Sequence, residues 1–518
     1  MKNFTKTLLT LAFCAVSSTS MAQVINFSME AEAAGKNTPE GWTEVQLPQN
    51  LPAFTESNTF YINAAQFGAK TESADNTKAI QAALDAAANA GGGMVVIPAG
   101  EWLSNTIQVG SKTVLHLCAG ATLKWIAWGN RSATEGNNFI TNKGTPTDVV
   151  IEGEGPTSIL EGQGGPWWEH YKDKIDDKDV KRGNMIRFGN GNRFLFRNFR
   201  IQNAPGANLT VGQSGRGAHT TVHDIEINNP SSSASTPSHN TDGIPVWTQY
   251  VNIYNCTIDT GDDNVVCDSQ AQYVHVWNCD FKAGHGASLG SFTVDMHHII
   301  YENLTLDGTD SGFRLKSNND RSGDVHDIIF RNCTMTNVAS PISITCWYDL
   351  SYDKLNPETI AASQEAKKAT TPVYHNILIQ NVTASGYNNK NSNDKNYNGI
   401  YIYGRPESLV YDVTFDNVKV SHRNGVRLFF CKDIKFINGC TFTRTKDNVT
   451  VKATDADLSA VMEHSYEADY TWNKATDGIA VPIVSDNNPV DAYTLQGVCV
   501  EKPQKGIYIL NGKKMVIK

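Results

Sequence analysis

The sequence predicts an all-β protein that folds as a single-stranded parallel β-helix, a solenoid in which short strands of successive coils stack on one another. Near-copies of one phrase, a strand followed by a turn residue and a second strand, occupy residues 251–258, 274–281 and 299–306. The turn residue of this phrase recurs along the chain at intervals of 21 to 49 residues. A period of about 20 to 30 residues with insertions is typical of stacked coils.

The recurrent turn position carries Asn or, once, Asp: Asn198, Asp224, Asn255, Asn278, Asn303, Asn332, Asn381, Asn417 and Asn438. Asn tolerates a left-handed backbone, and its amide can bond to the equivalent amide of the coil above or below. Asn is also common in ordinary turns, but its register with the strand phrases favours a ladder. We call these residues the Asn ladder and expect successive members to lie about 5 Å apart.

A helix is predicted ahead of the strands. Asp75 or Asn76 can cap its N-terminus, and the glycines at 91–93 end it. Its apolar residues form one stripe, namely Ala79, Ile80, Ala83, Leu84 and Ala87. A single helix before a long run of strands indicates an N-terminal cap over the open end of a solenoid, which covers exposed backbone edges.

The chain divides into four segments. Residues 1–22 have two lysines, an apolar run and small residues before Gln23, the pattern of a cleaved signal peptide, so we expect a secreted protein. Residues 23–57 are polar and contain several prolines, and we interpret them as a leader. The β-helix domain is predicted at 58–445, and residues 446–518 are predicted to be a C-terminal extension.

The end of the extension has a hairpin pattern. Residues 506–518 contain two apolar runs around Asn511-Gly512, a favoured two-residue turn. This last stretch resembles the sorting tails that Bacteroidetes proteins use for type IX export. The resemblance implies a Bacteroidetes-type bacterium as the source and a secretion role for the tail.

Composition excludes several partners. The 518-residue chain has a net charge of −9, which argues against nucleic acid. Outside the signal, no apolar run approaches the roughly 18 residues that a membrane span needs. The cysteines form no Cys-x-x-Cys pair, which argues against a zinc site. We expect no metal and no other cofactor, and a monomer.

Four cysteines follow the ladder or lie near the same place in a coil: Cys256, Cys279, Cys333 and Cys440. Their spacing predicts that they stack as small apolar residues facing inward. Disulfides between neighbouring coils are the alternative.

Four polar motifs lie close together in the chain: Asn-Thr-Asp at 240–242, Gly-Asp-Asp at 261–263, Gly-His-Gly at 284–286 and Arg-Leu-Lys at 314–316. Asp262 lies seven residues after one ladder Asn, and His285 lies seven residues after the next. In a parallel β-helix, residues at equal positions in neighbouring coils are about 4.8 Å apart. We therefore expect an acid and an imidazole side by side on one face.

Clustered carboxyls raise one another's pKa, so one can stay protonated. A protonated carboxyl and a carboxylate are what glycosidic bond cleavage needs. Asp262 and Asp263 would point to opposite faces of a regular strand, so the backbone must bend, and Gly261 is positioned to permit this. Arg314 and Lys316 share a strand face and favour an anionic ligand such as a sugar carboxylate.

The four motifs, in this order and at these separations, resemble the signature of the polygalacturonases, glycoside hydrolase family 28. The opening also resembles this family's N-terminal cap, at 67–69, 76–77, 79–81 and 91–100. The resemblance spans roughly residues 58–440. It implies a right-handed, pectin-lyase-like β-helix, and hydrolysis of α-1,4 bonds between galacturonic acid units with inversion and no metal.

The resemblance also implies roles for individual residues. Asp262 is the general acid, Asp242 and Asp263 activate water, and His285 supports the protonation of the acid. The substrate-binding residues implied by it are Arg314, Lys316, Asn240 and Tyr348.

Two departures from the family pattern concern the substrate. Asp268 stands where many members have a basic residue, and Pro245 interrupts the phrase after Asp242. Hydrolysis of a decorated pectin such as rhamnogalacturonan therefore stays open. A lyase on the same solenoid would use calcium and an Arg base. A non-catalytic carbohydrate-binding protein would have no reason to keep three carboxylates in phase with a histidine.

Overall fold

The fold is described from a computed structural model of the chain. It covers residue 25 and residues 27–29, 37–127, 138–173, 182–350, 356–387, 397–452 and 458–472, and strands at 492–494, 499–500, 506–510 and 513–517. The predicted signal peptide at 1–22 lies outside the described residues, as does the predicted turn at 511–512. Residues 1–42 form a unit of their own, and Thr43 begins the larger unit that contains the solenoid.

Each typical coil of the solenoid has three strands, and each strand belongs to a different face. In one coil, Gln249–Tyr254 lies on face 1, Thr257–Asp259 on face 2 and Val265–Cys267 on face 3. Each pairs in parallel with the matching strand of the next coil, Gln272–Trp277, Asp280–Phe281 and Ala287–Leu289. This confirms the predicted all-β parallel β-helix.

The strands repeat along each face with few interruptions. Face 1 consists of Thr59–Tyr61, Gly93–Ile97, Thr113–Leu117, Thr147–Gly153, Asn192–Arg197, Ala218–His223, Gln249–Tyr254, Gln272–Trp277, Met296–Glu302, Asp324–Arg331, Val373–Tyr374, Ile377–Gln380, Val410–Asp416, and the second halves of Val426–Ile437 and Met462–Trp472. Face 2 consists of Gly100–Ser104, Ala121–Trp125, Ile159–Glu161, Arg200–Gln202, Glu226–Asn228, Thr257–Asp259, Asp280–Phe281, Thr305–Asp307, Thr334–Thr336, Thr383–Ser385, Lys419–His422, Thr441–Arg444 and the antiparallel Val449–Val451. Face 3 consists of Ile107–Val109, Asn138–Asn142, Asn184–Phe188, Leu209–Val211, Ile244–Val246, Val265–Cys267, Ala287–Leu289, Ser311–Lys316, Ser340–Thr345, Ile400–Tyr403, and the first halves of Val426–Ile437 and Met462–Trp472.

The Asn ladder forms the corner between faces 1 and 2. Every member has a positive φ, from 51° at Asp224 and Asn417 to 59° at Asn198. The backbone N–H of each member from 198 to 417 donates to the carbonyl that precedes the next member; for Asn381 the acceptor is Asp416, at 2.9 Å. The amide of Asn381 also donates to Asn332 at 3.0 Å and accepts from Asn417 at 2.9 Å. The predicted ladder is confirmed.

The interior contains columns of apolar side chains in register. Val251, Val274, Ile299 and Ile328 pair across successive face 1 strands and are fully buried. The four cysteines near the ladder are buried free thiols, as are most of the other described cysteines. Their interpretation as inward-facing apolar residues is confirmed.

The N-terminal cap is the helix Thr77–Asn89, which contacts the strands Thr59–Tyr61, Gly93–Ile97 and Ile107–Val109. Its buried residues are Ile80, Ala83, Leu84 and Ala87, the predicted stripe apart from the partly buried Ala79. A 3-10 turn, Glu56–Asn58, precedes it. Within the larger unit, Gln49 contacts the solenoid, because its N–H donates to Asp148 at 3.0 Å.

The solenoid extends past the predicted boundary at residue 445. After a 3-10 turn at Ser459–Val461, Met462–Trp472 pairs in parallel with both halves of Val426–Ile437, so its first half extends face 3 and its second half extends face 1. The predicted C-terminal hairpin is confirmed, since Gly506–Leu510 and Lys513–Ile517 pair antiparallel. They join Ala492–Thr494 and Cys499–Val500 in a small sheet.

The remaining helices are short insertions, Gly165–Asp173 and Pro357–Ala362. The start of Pro357–Ala362 is capped by Asn356, which accepts from the N–H of Thr359 at 2.9 Å. Within the described part of the chain, no helix is both long and apolar enough to cross a membrane.

The ladder predicts how Asn381 responds to mutation. Asn381→Ala should lower the free energy of unfolding by about 2 kcal/mol, because it loses two amide bonds and leaves in a left-handed backbone a residue that, unlike Asn, cannot stabilise it by local hydrogen bonding. Asn381→Gly should lose about half as much, since glycine adopts this backbone freely. Calorimetric melting of both variants checks this. Equal losses would show that the left-handed backbone does not select Asn here.

Candidate active site

The predicted acids and histidine lie where each coil passes from face 2 to face 3. Asp242 precedes Ile244–Val246, Asp263 precedes Val265–Cys267, and His285 precedes Ala287–Leu289. These strands are consecutive in face 3 and pair in register. The solenoid therefore brings together groups that are separated by more than 40 residues in the sequence.

Buried hydroxyls fix the Asn-Thr-Asp and Gly-Asp-Asp turns against each other. The hydroxyl of Thr241 lies 2.8 Å from that of Ser238 and 3.0 Å from that of Thr260. It also accepts from the N–H of Gly261 at 3.1 Å. All three hydroxyl side chains are fully buried, so the turns are held by contacts that exclude water.

Asn264 ties the next turn to this pair. Its amide nitrogen donates to the carbonyls of Ile258 at 3.0 Å and Ala283 at 2.8 Å. Its amide oxygen accepts from the N–H of Gly286 at 2.7 Å. The side chain has no exposure, and it positions the Gly-His-Gly turn beside the aspartates.

The chain bends at residues 261–262, as the placement of two neighbouring acids required. Gly261 does not have a positive φ. A Cβ there would lie 2.3 Å from the carbonyl oxygen of Ser238. Glycine is therefore needed for the close approach of two backbones, and not for the conformational freedom that the sequence suggested.

Asp262 and His285 are in contact, as their register predicted. Nδ1 of His285 lies 3.1 Å from Oδ1 of Asp262, and its backbone N–H donates to the Asp262 carbonyl at 2.9 Å. The other carboxyl oxygen of Asp262 accepts from the amide of Asn240 at 3.1 Å. Nε2 of His285 lies 3.5 Å from Asp310.

Asp263 is surrounded by donors. Nζ of Lys316 donates to its Oδ2 at 2.8 Å, and the hydroxyl of Ser288 donates to its Oδ1 at 2.6 Å. Nη1 of Arg314 lies 3.6 Å from the same Oδ1. Asp263 and Lys316 are both buried, so direct contact between the two charges replaces their contact with water.

Arg314 and Lys316 share a face, as predicted. Their charged groups lie 5.7 and 5.2 Å from the ring centre of Tyr348. Tyr348 is 40% exposed, whereas the Lys316 side chain is only 4% exposed. Seven of the eight predicted site residues therefore form one cluster joined by contacts. The eighth, Asp242, is linked to the cluster through the charges of Asp262 and Asp263.

The family model of Glycosyl hydrolases family 28 matches residues 93–443, which is more than half of the chain. The chain belongs to glycosyl hydrolases family 28. The resemblance seen in the sequence motifs is thereby confirmed.

Individual relatives agree with this assignment. An endo-polygalacturonase of Pectobacterium carotovorum subsp. carotovorum is 26% identical over 354 residues, which cover 60% of this chain and 85% of the relative. A polygalacturonase of Ralstonia nicotianae is 25% identical over 526 residues, covering 84% and 93%. The structure of a Yersinia enterocolitica family 28 exopolygalacturonase has a TM-score of 0.62 at 19% identity, covering 82% and 79%. It supports the right-handed parallel β-helix fold.

In this family 28 site, the surroundings shift the pKa values of Asp242 and Asp262 in opposite directions. Burial, reinforced by the negative charges of Asp262 and Asp263, holds the pKa of Asp242 well above its usual range. Burial also opposes ionisation of Asp262, but the imidazole of His285 and then the ammonium of Lys316 hold its pKa below the usual range. Without substrate, the surroundings therefore favour the protonated form of Asp242 and the ionised form of Asp262.

Sequence reasoning missed three supporting residues. Arg182 donates to Asn240 at 2.8 Å, Ser288 donates to Asp263, and Asp310 faces His285. Ser288 follows the Gly-His-Gly motif by two residues, which places it on the same strand edge. Arg182 comes from a distant insertion, for which the repeat gives no register.

In the part of the chain that the structure describes, two groups of side chains have the ligand types and spacing to hold a metal. One is Asp262, Asp263 and His285; the other is His116, Cys118 and Glu154, on an earlier coil. Lys316 and Arg314 already compensate the charge of Asp263 in the first group, which favours acid–base chemistry there.

Asp268 is the acid that stands where the sequence resemblance led us to expect a basic residue. It is buried and directly follows the face 3 strand Val265–Cys267. Burial, reinforced by Asp263 and opposed by Lys316, raises its pKa to about 7. Its Oδ1 accepts from the N–H of Phe292 at 3.3 Å. A carboxyl buried in this way is held as the neutral acid over much of the pH range.

Asp268 should make the protein less stable as the pH rises. Its pKa is raised on folding, so its stabilising contribution is full below the unfolded value and is lost as the pH rises through about 7. Asp268→Asn should flatten the fall in melting temperature between pH 5 and pH 8, recovering at most about 4 kcal/mol at pH 8. The exposed Asp307→Asn is the control and should leave the fall unchanged. A wild-type melting temperature that rises over this range would contradict the assignment.

Proposed function

We propose that this family 28 member is a secreted hydrolase that cleaves α-1,4-galacturonosidic bonds of pectin by inversion, in one step and without a cofactor. The observation that carries the proposal is the contact between the Asp262–His285 pair and the Asp263–Lys316–Arg314 cluster. It combines acid–base groups with cations suited to a sugar carboxylate. The polygalacturonase activity named for its relatives supports the same substrate.

Asp262 protonates the leaving oxygen, and Asp242 with Asp263 directs a water to the anomeric carbon and takes its proton. In the substrate-free site, burial and two neighbouring acids favour the protonated form of Asp242, while His285 and then Lys316 favour the ionised form of Asp262. A uronate bound at Arg314 and Lys316 compensates the charge of Lys316 and so raises the pKa of Asp262. Transfer of a proton from Asp242 to Asp262 then supplies the general acid and leaves Asp242 as a base.

The binding residues have different tasks in this scheme. Arg314 is the less buried cation and binds the substrate carboxylate, while Lys316 divides its charge between that carboxylate and Asp263. Tyr348 lies beneath both cations and supports the sugar ring. Asn240 holds Asp262 in place, with its own orientation set by Arg182.

Hydrolysis of a decorated pectin such as rhamnogalacturonan is the second candidate. The observation that favours it is the buried carboxyl of Asp268, which offers no positive charge to a second uronate close by. The carbohydrate-binding alternative has less support, because a protein that only binds sugar has no need of three carboxyls placed beside a histidine.

Removing the proton donor tests the proposed acid. Asp262→Asn should lower kcat on polygalacturonate by several orders of magnitude, because the amide preserves the shape but cannot donate the proton. Affinity for polygalacturonate should fall much less. The measurement is the release of reducing ends, with products separated by size to distinguish endo from exo action. A near-normal rate would remove Asp262 from the mechanism.

The stereochemical course tests the arrangement of the acids. A water held between acid and base requires carboxyl groups about 6.5 to 9.5 Å apart and gives a product of inverted configuration. Proton NMR of the new reducing end, recorded before mutarotation, reads this directly. A product of retained α configuration would contradict the roles of Asp242 and Asp263.

Arg314→Ala tests recognition of the uronate. It should raise KM on polygalacturonate about tenfold or more, because a charge-assisted contact to the substrate is lost. Fully methyl-esterified pectin should be a poor substrate for the parent protein, and the mutation should change KM on it very little. Equal rates of the parent on both substrates would contradict the role given to the cations.

A further inference from the structure

Exposed apolar side chains are concentrated beside the active site. Among the described residues, the large hydrophobic side chains with high exposure are Phe292 at 46%, Val294 and Tyr348 at 40%, and Tyr466 at 39%. The first three follow face 3 strands near the catalytic cluster, and Tyr466 lies in the last solenoid strand. Exposed apolar surface gathered in one place marks a binding site more often than scattered residues do.

Phe292 belongs to a group that we call the aromatic shelf: Trp247, Phe292 and the guanidinium of Arg321. The rings of Trp247 and Phe292 are 6.0 Å apart, tilted by 45°. The guanidinium of Arg321 lies 5.3 Å from the ring centre of Phe292. The backbone N–H of Phe292 donates to the buried carboxyl of Asp268, which fixes the backbone that carries the ring.

The shelf and the catalytic acids lie at opposite ends of the same strands. Asp242 precedes and Trp247 follows Ile244–Val246, while His285 precedes and Phe292 follows Ala287–Leu289. A three-residue strand spans roughly 10 Å, about the reach of neighbouring units of a polysaccharide. A chain cleaved at the acids can therefore extend over the shelf.

The charges around the shelf disfavour an anionic sugar. Arg321 is 2.9 Å from a carboxyl oxygen of Asp320 and 3.3 Å from one of Asp349, so its charge is compensated twice. The carboxylates of Asp320 and Asp349 outnumber the single cation of Arg321, so a sugar carboxylate placed here would meet a net negative charge. The cations Arg314 and Lys316 lie beside Asp263 instead.

We propose that the aromatic shelf is a subsite for an uncharged pyranose ring, which stacks on Phe292 and Trp247 next to the uronate bound at Arg314 and Lys316. This rests on the proposed function. The uncharged ring is either a methyl-esterified galacturonate or a neutral sugar, since both present the same apolar ring face. The protein would then prefer a polymer in which charged and uncharged units alternate over a regular polygalacturonate.

Phe292→Ala and Trp247→Ala test the shelf, with Tyr466→Ala as the matched control for loss of an exposed aromatic. The shelf variants should raise KM about five- to tenfold on partly methyl-esterified pectin, the range expected for one lost aromatic contact. On fully de-esterified polygalacturonate the change should stay below about twofold. Comparing partly esterified galacturonan with rhamnogalacturonan distinguishes an ester from a neutral sugar.

A second variant changes the charge and leaves the rings in place. Asp349→Asn removes one partner of Arg321 from an exposed position, so it should lower KM on de-esterified polygalacturonate relative to partly esterified pectin. Equal effects on both polymers, for this variant and the shelf variants, would overturn the proposal. An absence of any effect would overturn it as well.

Failure of the shelf and failure of the proposed function give different results. Electrophoretic retardation of the Asp262→Asn protein in gels containing each polysaccharide reads binding without turnover. If the parent releases no reducing ends from any pectin, the proposed function fails. The shelf is then judged by whether Phe292→Ala abolishes retardation by partly esterified pectin in the Asp262→Asn background.

Discussion

The register between successive coils is the constraint on which the rest of the structure depends. At the Asn ladder corner, most coils donate a backbone N–H to the coil that follows, and the flanking strands pair residue for residue. A slip of one residue would turn every side chain of a strand to the opposite face. Because the register is fixed, Asp262 and His285 meet, and so do the cysteines and aliphatic columns of the interior.

The same register explains what could be predicted from the sequence. The ladder and the contact between Asp262 and His285 follow from positions counted from one Asn to the next, and the capping helix follows from its own apolar stripe. The family motifs supplied the identity of the site. Features that depend on insertions or on the ends of the stack were not predictable in this way. Arg182 reaches the site from an insertion, and the strand Met462–Trp472 continues the solenoid where the ladder is no longer visible.

Other differences between the sequence predictions and the structure arise because sequence patterns do not show which charges compensate each other or which backbone segments approach closely. Lys316 was predicted as a substrate contact, and the structure also makes it the partner of the buried Asp263. Gly261 was predicted from its freedom of conformation, and the structure shows a close approach to Ser238. The raised pKa of Asp242 depends on burial and on two neighbouring acids, so only the three-dimensional arrangement could reveal it.

The bonding of the ladder, in which each coil bonds to its immediate neighbours, has an evolutionary consequence. A coil can be duplicated or deleted away from residues 240–316 while the strands that carry the catalytic groups keep their own partners. The stack of coils can lengthen or shorten by whole coils. The length of polymer that it contacts can then change while the catalytic residues stay the same. Lineages can therefore adapt to substrates of different lengths without rebuilding the catalytic centre.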